Sequence, residues 1–369
     1  MMTFRLTFGR NTVLICTGFS LLVFATAAYS DGEPPALPTI VSATESAIRY
    51  VGRFDTRDAA GPRCAWPAST VRIRFQGTAL NAVLNEQGDD RWQVEIDGKP
   101  TTVLSPDKGE HRYAVASGLS DEVHTVSLAK ATEGFVGITQ FLRFEISGRL
   151  LDSMPLQRRI EVIGDSISCG YGNEGANQNE HYTPKTENAY YTYGAFAARA
   201  LNADYDCVAF SGRKMWPDNT IGELYDRSLT FDAGSAWVFS RWTPDVILIN
   251  LATNDFGKAI PDKAGWTEAY IAFIKRLRMH YPSAMIYCAI GPMMADSSAT
   301  NKPLTVLREY IAKIKHDINS GGDERIRVID FGTQDPKNGL GSDWHPNIKT
   351  HELMAKQLVA ALHKDMSWN

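Results

Sequence analysis

The sequence predicts a β domain followed by an α/β domain, and three observations carry that reading. Between about residues 40 and 150, apolar and polar residues alternate with a period of two. From about residue 158 onward, apolar runs of strand length alternate with helical stretches. Three residues suited to one chemistry, Ser166, Gly212 and Asn254, fall just beyond the ends of such runs. The first pattern is that of half-buried strands. The second is that of a mostly parallel sheet with helices on both faces. The third matches where such sheets bind ligands, beyond the carboxyl ends of their strands.

A chain of 369 residues is long enough for two cores, and 44% apolar with 22% charged residues is ordinary for a globular protein. A net charge of −4 gives no reason to expect nucleic acid or an anionic membrane surface as partner. Residues 1–30 read as a secretory signal peptide. Arg5 and Arg10 precede a mostly apolar run over 12–24, and Ala25-Thr26-Ala27 fits a cleavage site. The run is shorter than the roughly 20 residues of a spanning helix. The expectation is therefore a secreted or periplasmic protein, off the membrane once the signal is cleaved. Pro34, Pro35 and Pro38 suggest a short linker. Cys64, Cys169, Cys207 and Cys288 remain, with three possible disulfide pairings. Cys207 and Cys288 sit in core strands and read as buried free thiols. No Cys/His cluster has zinc spacing, so no metal is expected.

Within the β domain, Val71, Ile73 and Phe75 alternate with polar neighbours, as do Trp92, Val94 and Ile96, and Leu142, Phe144 and Ile146. Asp97-Gly98 supplies a hairpin turn. Short strands at this spacing predict a sandwich over about 40–150. In the second domain, 158–369, strands are expected at 160–165, 205–210, 245–252, 284–290 and 325–330. Trp266, Tyr270, Phe273 and Leu277 share one face of a helix over 264–280, and a last helix over 347–364 carries Met354, Leu358 and Leu362.

Ser166 at a strand-to-helix transition can act as a nucleophile once a base takes its proton. An N-cap serine would fit the same position. His345 is the expected general base, since imidazole exchanges protons near neutral pH. A surface loop histidine is the plainer alternative. Asp343 could orient the ring, or be a solvated loop acid. The Ser166 N–H, the Gly212 N–H and the Asn254 side-chain amide could form an oxyanion hole. A turn glycine and an Asx-turn are the rivals for the latter two. Asp165 and Asp255 are expected to hold their loops. The polar stretch 173–187 could form one wall of a cleft. Trp216 and Trp344 could carry a sugar ring or pack in the core.

Gly164-Asp165-Ser166, Phe210-Ser211-Gly212-Arg213, Thr253-Asn254-Asp255 and the late His345 together resemble the SGNH (GDSL-type) hydrolase superfamily, over residue 158 to the C-terminus. The strings from Ile163 to Gly172 and Asp343-Trp344-His345-Pro346, with the β domain in front, narrow the likeness. They resemble carbohydrate esterase family 2 (acetylxylan esterase-like), whose members join a β jelly roll to an SGNH domain and remove acetyl groups from plant-type polysaccharides. The resemblance implies an SGNH-hydrolase three-layer sandwich with a parallel sheet behind an all-β jelly-roll-like domain. It implies Ser166, Gly212, Asn254 and His345 in their family roles, and no cofactor. Two departures stand out. The superfamily's aspartate lies three residues before its histidine, where this chain has Ser342, and Asp343 is only two before. A triad through Asp343 and a Ser166–His345 dyad oriented by a backbone carbonyl both stay open. Ala252 stands where glycine is common, so its methyl borders the oxyanion pocket.

The expected function is an exported carbohydrate O-acetylesterase acting on xylan or glucomannan through a serine acyl-enzyme. Its partner would be an acetylated polysaccharide or oligosaccharide. The alternatives are an SGNH lipase-like or thioester hydrolase of another acyl group, and a non-catalytic glycan-binding protein. The glycan, the hydroxyl position and the oligomeric state are open.

Overall fold

The computed structural model describes residues 37–296 and 300–368. The signal peptide expected at 1–30 lies outside the described residues. Ten strands make the first, antiparallel sheet: β1 (Thr39–Ser42), β2 (Arg49–Val51), β3 (Phe54–Asp55), β4 (Arg63–Cys64), β5 (Thr70–Glu86), β6 (Trp92–Ile96), β7 (Lys99–Leu104), β8 (Gly109–Ala116), β9 (Glu122–Lys130) and β10 (Thr139–Leu151). The long strand β5 serves two partners in succession. Its first half pairs with β9 and its second half with β8. The change falls beside Gly77, which faces Gly148 of β10. A Cβ on Gly77 would stand 2.1 Å from the Ser147 carbonyl oxygen, and one on Gly148 would stand 2.0 Å from that of Gln76. Neither position can carry a side chain, so the two glycines let the ribbon bend where it changes partners.

The expected alternation builds the core of this domain. Val71, Ile73, Phe75, Trp92, Val94, Phe144 and Ile146 are buried together. Leu142 departs from expectation. A bulge between Phe141 and Arg143 turns Phe141 inward and leaves Leu142 half-buried. The β6–β7 turn uses Asp97 and Gly98, both left-handed, as a two-residue hairpin requires.

The second sheet is parallel, in the order β12 (Ala203–Ala209), β11 (Arg158–Gly164), β13 (Val246–Asn250), β14 (Met285–Ile290), β15 (Ile326–Asp330). The chain starts in the middle, at β11, and builds outward to both sides. Alternate residues feed two cores. Ile163, Ile247 and Ile249 pack with Trp266, Tyr270 and Leu277 of α4 (Lys263–His280) and Leu307 and Ile311 of α5 (Pro303–Ser320). Ile160, Val162 and Leu248 pack with Tyr193 of α2 (Tyr193–Ala200) and Met354, Leu358 and Leu362 of α6 (Ile348–Met366). The four described cysteines are buried free thiols. Among the described residues no helix is long and apolar enough to cross a membrane.

A buried cation ties the two sheets together. Arg53, between β2 and β3, is fully buried. Its guanidinium meets Glu161 of β11 at 3.0 Å and Asp206 of β12 at 3.5 Å, and donates to the Tyr225 carbonyl. Glu161 and Asp206 are register partners. Burial, with the neighbouring Asp206 adding to it, pushes the Glu161 carboxyl up to about 7 against the pull of Arg53. Without the arginine, two neighbouring acids would share an apolar site. Arg53→Ala is expected to cost on the order of 3–5 kcal/mol of stability, the scale for breaking a buried ion pair from one side. Urea denaturation beside the parent protein measures it, and an unshifted midpoint would show that water or protonation relieves the acids.

Candidate active site

The parallel sheet brings three segments to one edge. β12, β11 and β13 are neighbours, and their carboxyl ends lead into Gly212, Ser166 and Asn254. This is the point where the sheet order reverses, so the loops diverge and leave a crevice. After Gly164 the chain turns at once into α1 (Ser166–Cys169). The cap of this short helix is Asp165, whose carboxylate accepts from Ile167 N–H at 3.1 Å. Ser166 is therefore not the N-cap, and its hydroxyl is left to face the crevice. A Cβ on Gly164 would come within 2.1 Å of the Ser168 hydroxyl, so this tight entry excludes any larger residue.

The hydroxyl of Ser166 lies 2.9 Å from Nε2 of His345. The other ring nitrogen, Nδ1, lies 3.1 Å from the backbone carbonyl of Asp343. A carbonyl oxygen can only accept, so Nδ1 carries the hydrogen and Nε2 presents a lone pair to the serine. The turn that achieves this is unusual. Asp343 and Trp344 have φ of +49° and +67°, two successive left-handed residues that are not glycine. Such backbone persists only where its surroundings hold it. Here Gly341 N–H donates to the His345 carbonyl at 2.8 Å and Ser342 N–H to the Gly172 carbonyl at 2.9 Å.

The carboxylate of Asp343 does not reach the imidazole, which corrects the expectation of a triad through that side chain. It is bonded instead to His181 Nδ1 at 2.8 Å, Tyr182 N–H at 2.9 Å and the Tyr171 hydroxyl at 3.0 Å. The bond to His181 and the N–H of Tyr182 hold this carboxyl below the usual carboxylate range. The spacing to His345 explains the outcome. At two residues before the histidine, the left-handed turn points the carbonyl at the ring and the side chain away from it. The carboxylate pins the 173–187 stretch to the histidine loop instead. Tyr171 then packs tilted against His345, with ring centroids 4.3 Å apart, and stacks on Tyr182 at 4.2 Å. Tyr171 lies in the Ile163–Gly172 string, and His181 and Tyr182 lie in the 173–187 stretch read as a cleft wall, but nothing in the sequence singles out any of the three as a support of the imidazole.

Asn254 lies in α3 (Thr253–Phe256), and its side-chain amide donates to the Arg213 carbonyl at 3.0 Å and toward Asp165 at 3.4 Å. Those bonds join the loops after β11, β12 and β13. Burial pushes the Asp165 carboxyl up to about 7. Ala252 has φ of +100°. A left-handed position is why glycine suits it, and the methyl is carried at the cost of strain. Gly212, φ +77°, has open space where a Cβ would stand. Asp255 holds the Met215–Trp216 backbone and the Trp266 indole, as a loop-fixing acid should.

The two tryptophans part company. Trp216 is half-buried with its indole against Gly265 of α4, so packing accounts for it. Trp344 is 58% exposed and adjoins the general-base candidate.

Comparison with known proteins gives the following. Residues 50–155 match the family model described as carbohydrate esterase 2 N-terminal, and residues 162–353 match the GDSL-like lipase/acylhydrolase family. A cellulase/esterase, CelE, of Acetivibrio thermocellus is 39% identical over 329 residues, which is 87% of this chain but 40% of that protein. The chain thus spans well under half the length of that relative. An acetylxylan esterase / glucomannan deacetylase of Cellvibrio japonicus is 27% identical, covering 89% of this chain and 91% of that one. The structure of a family two carbohydrate esterase from Clostridium thermocellum in complex with cellohexaose superposes with a TM-score of 0.83 at 39% identity, covering 87% of this chain and all of that one.

Burial lowers the pKa of His345 below the 6.5 of a free imidazole, so the ring is neutral at pH 7 and gains a proton only on acidification. NMR titration of the His345 ring is expected to give a midpoint below 6.5. A midpoint at or above that value would mean that the ring is solvated or faces a strong anion.

Proposed function

Because the chain belongs to family 2 of the carbohydrate esterases, within the GDSL-like hydrolases, we propose that it is an exported O-acetylesterase that removes acetyl groups from polysaccharides through a serine acyl-enzyme. The observation that carries this is the Ser166–His345 contact of 2.9 Å, with the imidazole fixed in the productive tautomer by the Asp343 carbonyl.

In this reading His345 Nε2 takes the proton of the Ser166 hydroxyl as the serine oxygen attacks the acetyl carbonyl. The carbonyl oxygen becomes an oxyanion facing the N–H groups of Ser166 and Gly212 and the amide of Asn254, which gives up its long 3.4 Å contact with Asp165 to donate to it. Collapse of the intermediate breaks the bond to the sugar oxygen, and the imidazolium returns its proton to that leaving group. Water then repeats the sequence: His345 takes its proton as the water oxygen attacks the acetyl-serine carbonyl, the bond to the Ser166 oxygen breaks, the imidazolium returns the proton to that oxygen, and acetate leaves.

Xylan and glucomannan are the proposed substrates. Support comes from the Cellvibrio japonicus relatives, named acetylxylan esterase / glucomannan deacetylase. Trp344, exposed beside His345, offers a flat apolar face on which a pyranose ring can rest next to the nucleophile. The β domain would complete the glycan-binding cleft. Export rests on the signal-like pattern of Arg5, Arg10 and the apolar run over 12–24.

The test is acetate release from acetylated xylan and acetylated glucomannan, beside Ser166→Ala. Release that disappears in the variant is the expected result. Cleavage of aryl acetates without release from either glycan would discard the substrate class and keep the hydrolase. Asp343→Asn, which suits the left-handed position, is expected to lower kcat by no more than about tenfold. Disabling the aspartate of a working triad costs on the order of 10⁴, and a loss of that size would show that the carboxylate reaches the imidazole during turnover.

A further inference from the structure

Glu133 lies just beyond β9, in the β domain, yet it is fully buried beside Ser211, the residue before Gly212. One of its carboxylate oxygens accepts from the Ser211 N–H at 2.7 Å and from the Cys169 thiol at 3.6 Å, and the other accepts from the Ser211 hydroxyl. A single carboxylate therefore gathers the backbone leading into Gly212 and the last residue of the nucleophile helix α1. A second buried acid, Glu187, lies against it. Glu187 Oε2 accepts from the Glu133 N–H at 3.1 Å and from the Tyr182 hydroxyl at 2.8 Å, while its Oε1 has no partner.

Two neighbouring carboxyls out of water oppose each other's ionisation, which favours a proton shared by the pair even with Lys130 close by. Burial raises both above the carboxylate range, and the neighbouring Glu133 drives Glu187 up further. The donors decide where the proton sits. Glu133 receives three hydrogen bonds that favour its anion, whereas Glu187 keeps one oxygen free to carry a hydrogen. Glu133, Glu187 and Cys169 also bring ligand atoms within 4.8 Å of one another. A cation there would have to displace the Ser211 and thiol donors, so the shared proton fits the observed bonds better.

We propose that Glu133 is a positioning residue of the active site: as the anionic member of the buried pair, it clamps the Ser211–Gly212 backbone against α1 and aims the Gly212 N–H at the forming oxyanion. The inference rests on the acyl-enzyme reading above. It gives the β domain a part in positioning the oxyanion hole. The pair also reaches the base, because Tyr182, bonded to Glu187, stacks on Tyr171, which packs tilted against His345.

The test compares Glu133→Gln, Ser211→Ala and the double variant on p-nitrophenyl acetate, an ester that makes no use of sugar binding. Removing one oxyanion-hole donor costs about 10²–10³ in kcat, so Glu133→Gln is expected to lose about 10²-fold in kcat with KM within about twofold. Ser211→Ala keeps the N–H bond to Glu133 and should lose about tenfold. The double variant should lose no more than Glu133→Gln, because the hydroxyl acts through that carboxylate. Near-UV circular dichroism checks that each variant keeps its packing. A folded Glu133→Gln with kcat near that of the parent protein, or losses that multiply in the double variant, overturns the clamp. If Glu133→Gln does not fold, an unchanged kcat in Ser211→Ala overturns it. Failure of the acyl-enzyme reading looks different: the parent protein cleaves no ester, or Ser166→Ala cleaves as well as the parent, and the clamp falls with it.

Discussion

Arg53 supplies the charge that the parallel sheet cannot do without. Glu161 and Asp206 stand side by side in the middle of β11 and β12, in a layer that excludes water. Desolvating two acids is costly, and the cost falls only if a cation arrives with them. That cation comes from the β domain. Arg49 and Arg72, also from that domain, meet Asp204 two residues earlier on β12. The two sheets are thus docked through acids on one and arginines on the other. Apolar residues of the same size could bury as favourably, but they would accept many registers. Charges that must meet accept few. This matters because the carboxyl ends of β11 and β12 carry Ser166 and Gly212, and a sliding sheet would separate them.

The same docking explains what could be read from the sequence and what could not. Strand and helix periodicity places Ile160, Val162 and Ile163, and the α4 face of Trp266, Tyr270, Phe273 and Leu277, where they are found. The Ser166, Gly212 and Asn254 segments lie at adjacent strand ends, as strand–helix alternation implies. Local patterns encode these features. Glu161 and Asp206 sit in otherwise apolar runs, and nothing within those runs reveals a partner more than a hundred residues upstream. Glu133 is hidden in the same way. It is a charged residue near the end of a β strand, and only the tertiary fold puts it behind the oxyanion loop. Leu142 fails for a smaller reason. One bulge shifts the alternation by a residue, and a bulge leaves no mark in hydrophobic pattern.

The side chain and the backbone of Asp343 do different jobs. Spacing along the chain bears on where a carboxylate can reach, but here the backbone conformation decides. Two left-handed residues reverse the loop, send the carbonyl to Nδ1 and free the carboxylate to hold Tyr171, His181 and Tyr182. The 173–187 stretch is thereby fastened to the histidine loop, and its Tyr182 backs Tyr171, whose ring packs against the imidazole.

This exchange has an energetic consequence for the proposed mechanism. A buried carboxylate at Nδ1 would strongly stabilise the imidazolium that forms as Ser166 attacks, and would raise the resting pKa of the ring. A carbonyl is a dipole without net charge, so it stabilises the imidazolium less. Burial is then free to hold the resting ring neutral, ready to accept a proton. The negative charge of Asp343 still favours the imidazolium through space, though solvent weakens it because the carboxylate is partly exposed. What a carboxylate would supply by charge must therefore come from alignment. The serine hydroxyl, both ring nitrogens and the carbonyl lie in one chain of hydrogen bonds, with the Tyr171 ring packed on the imidazole face. Alignment of that kind requires rigid loops, and the hydrogen bonds of the Asp343 carboxylate make them rigid. The residue orients the base after all, through the segments it fastens and not by touching the ring with its side chain.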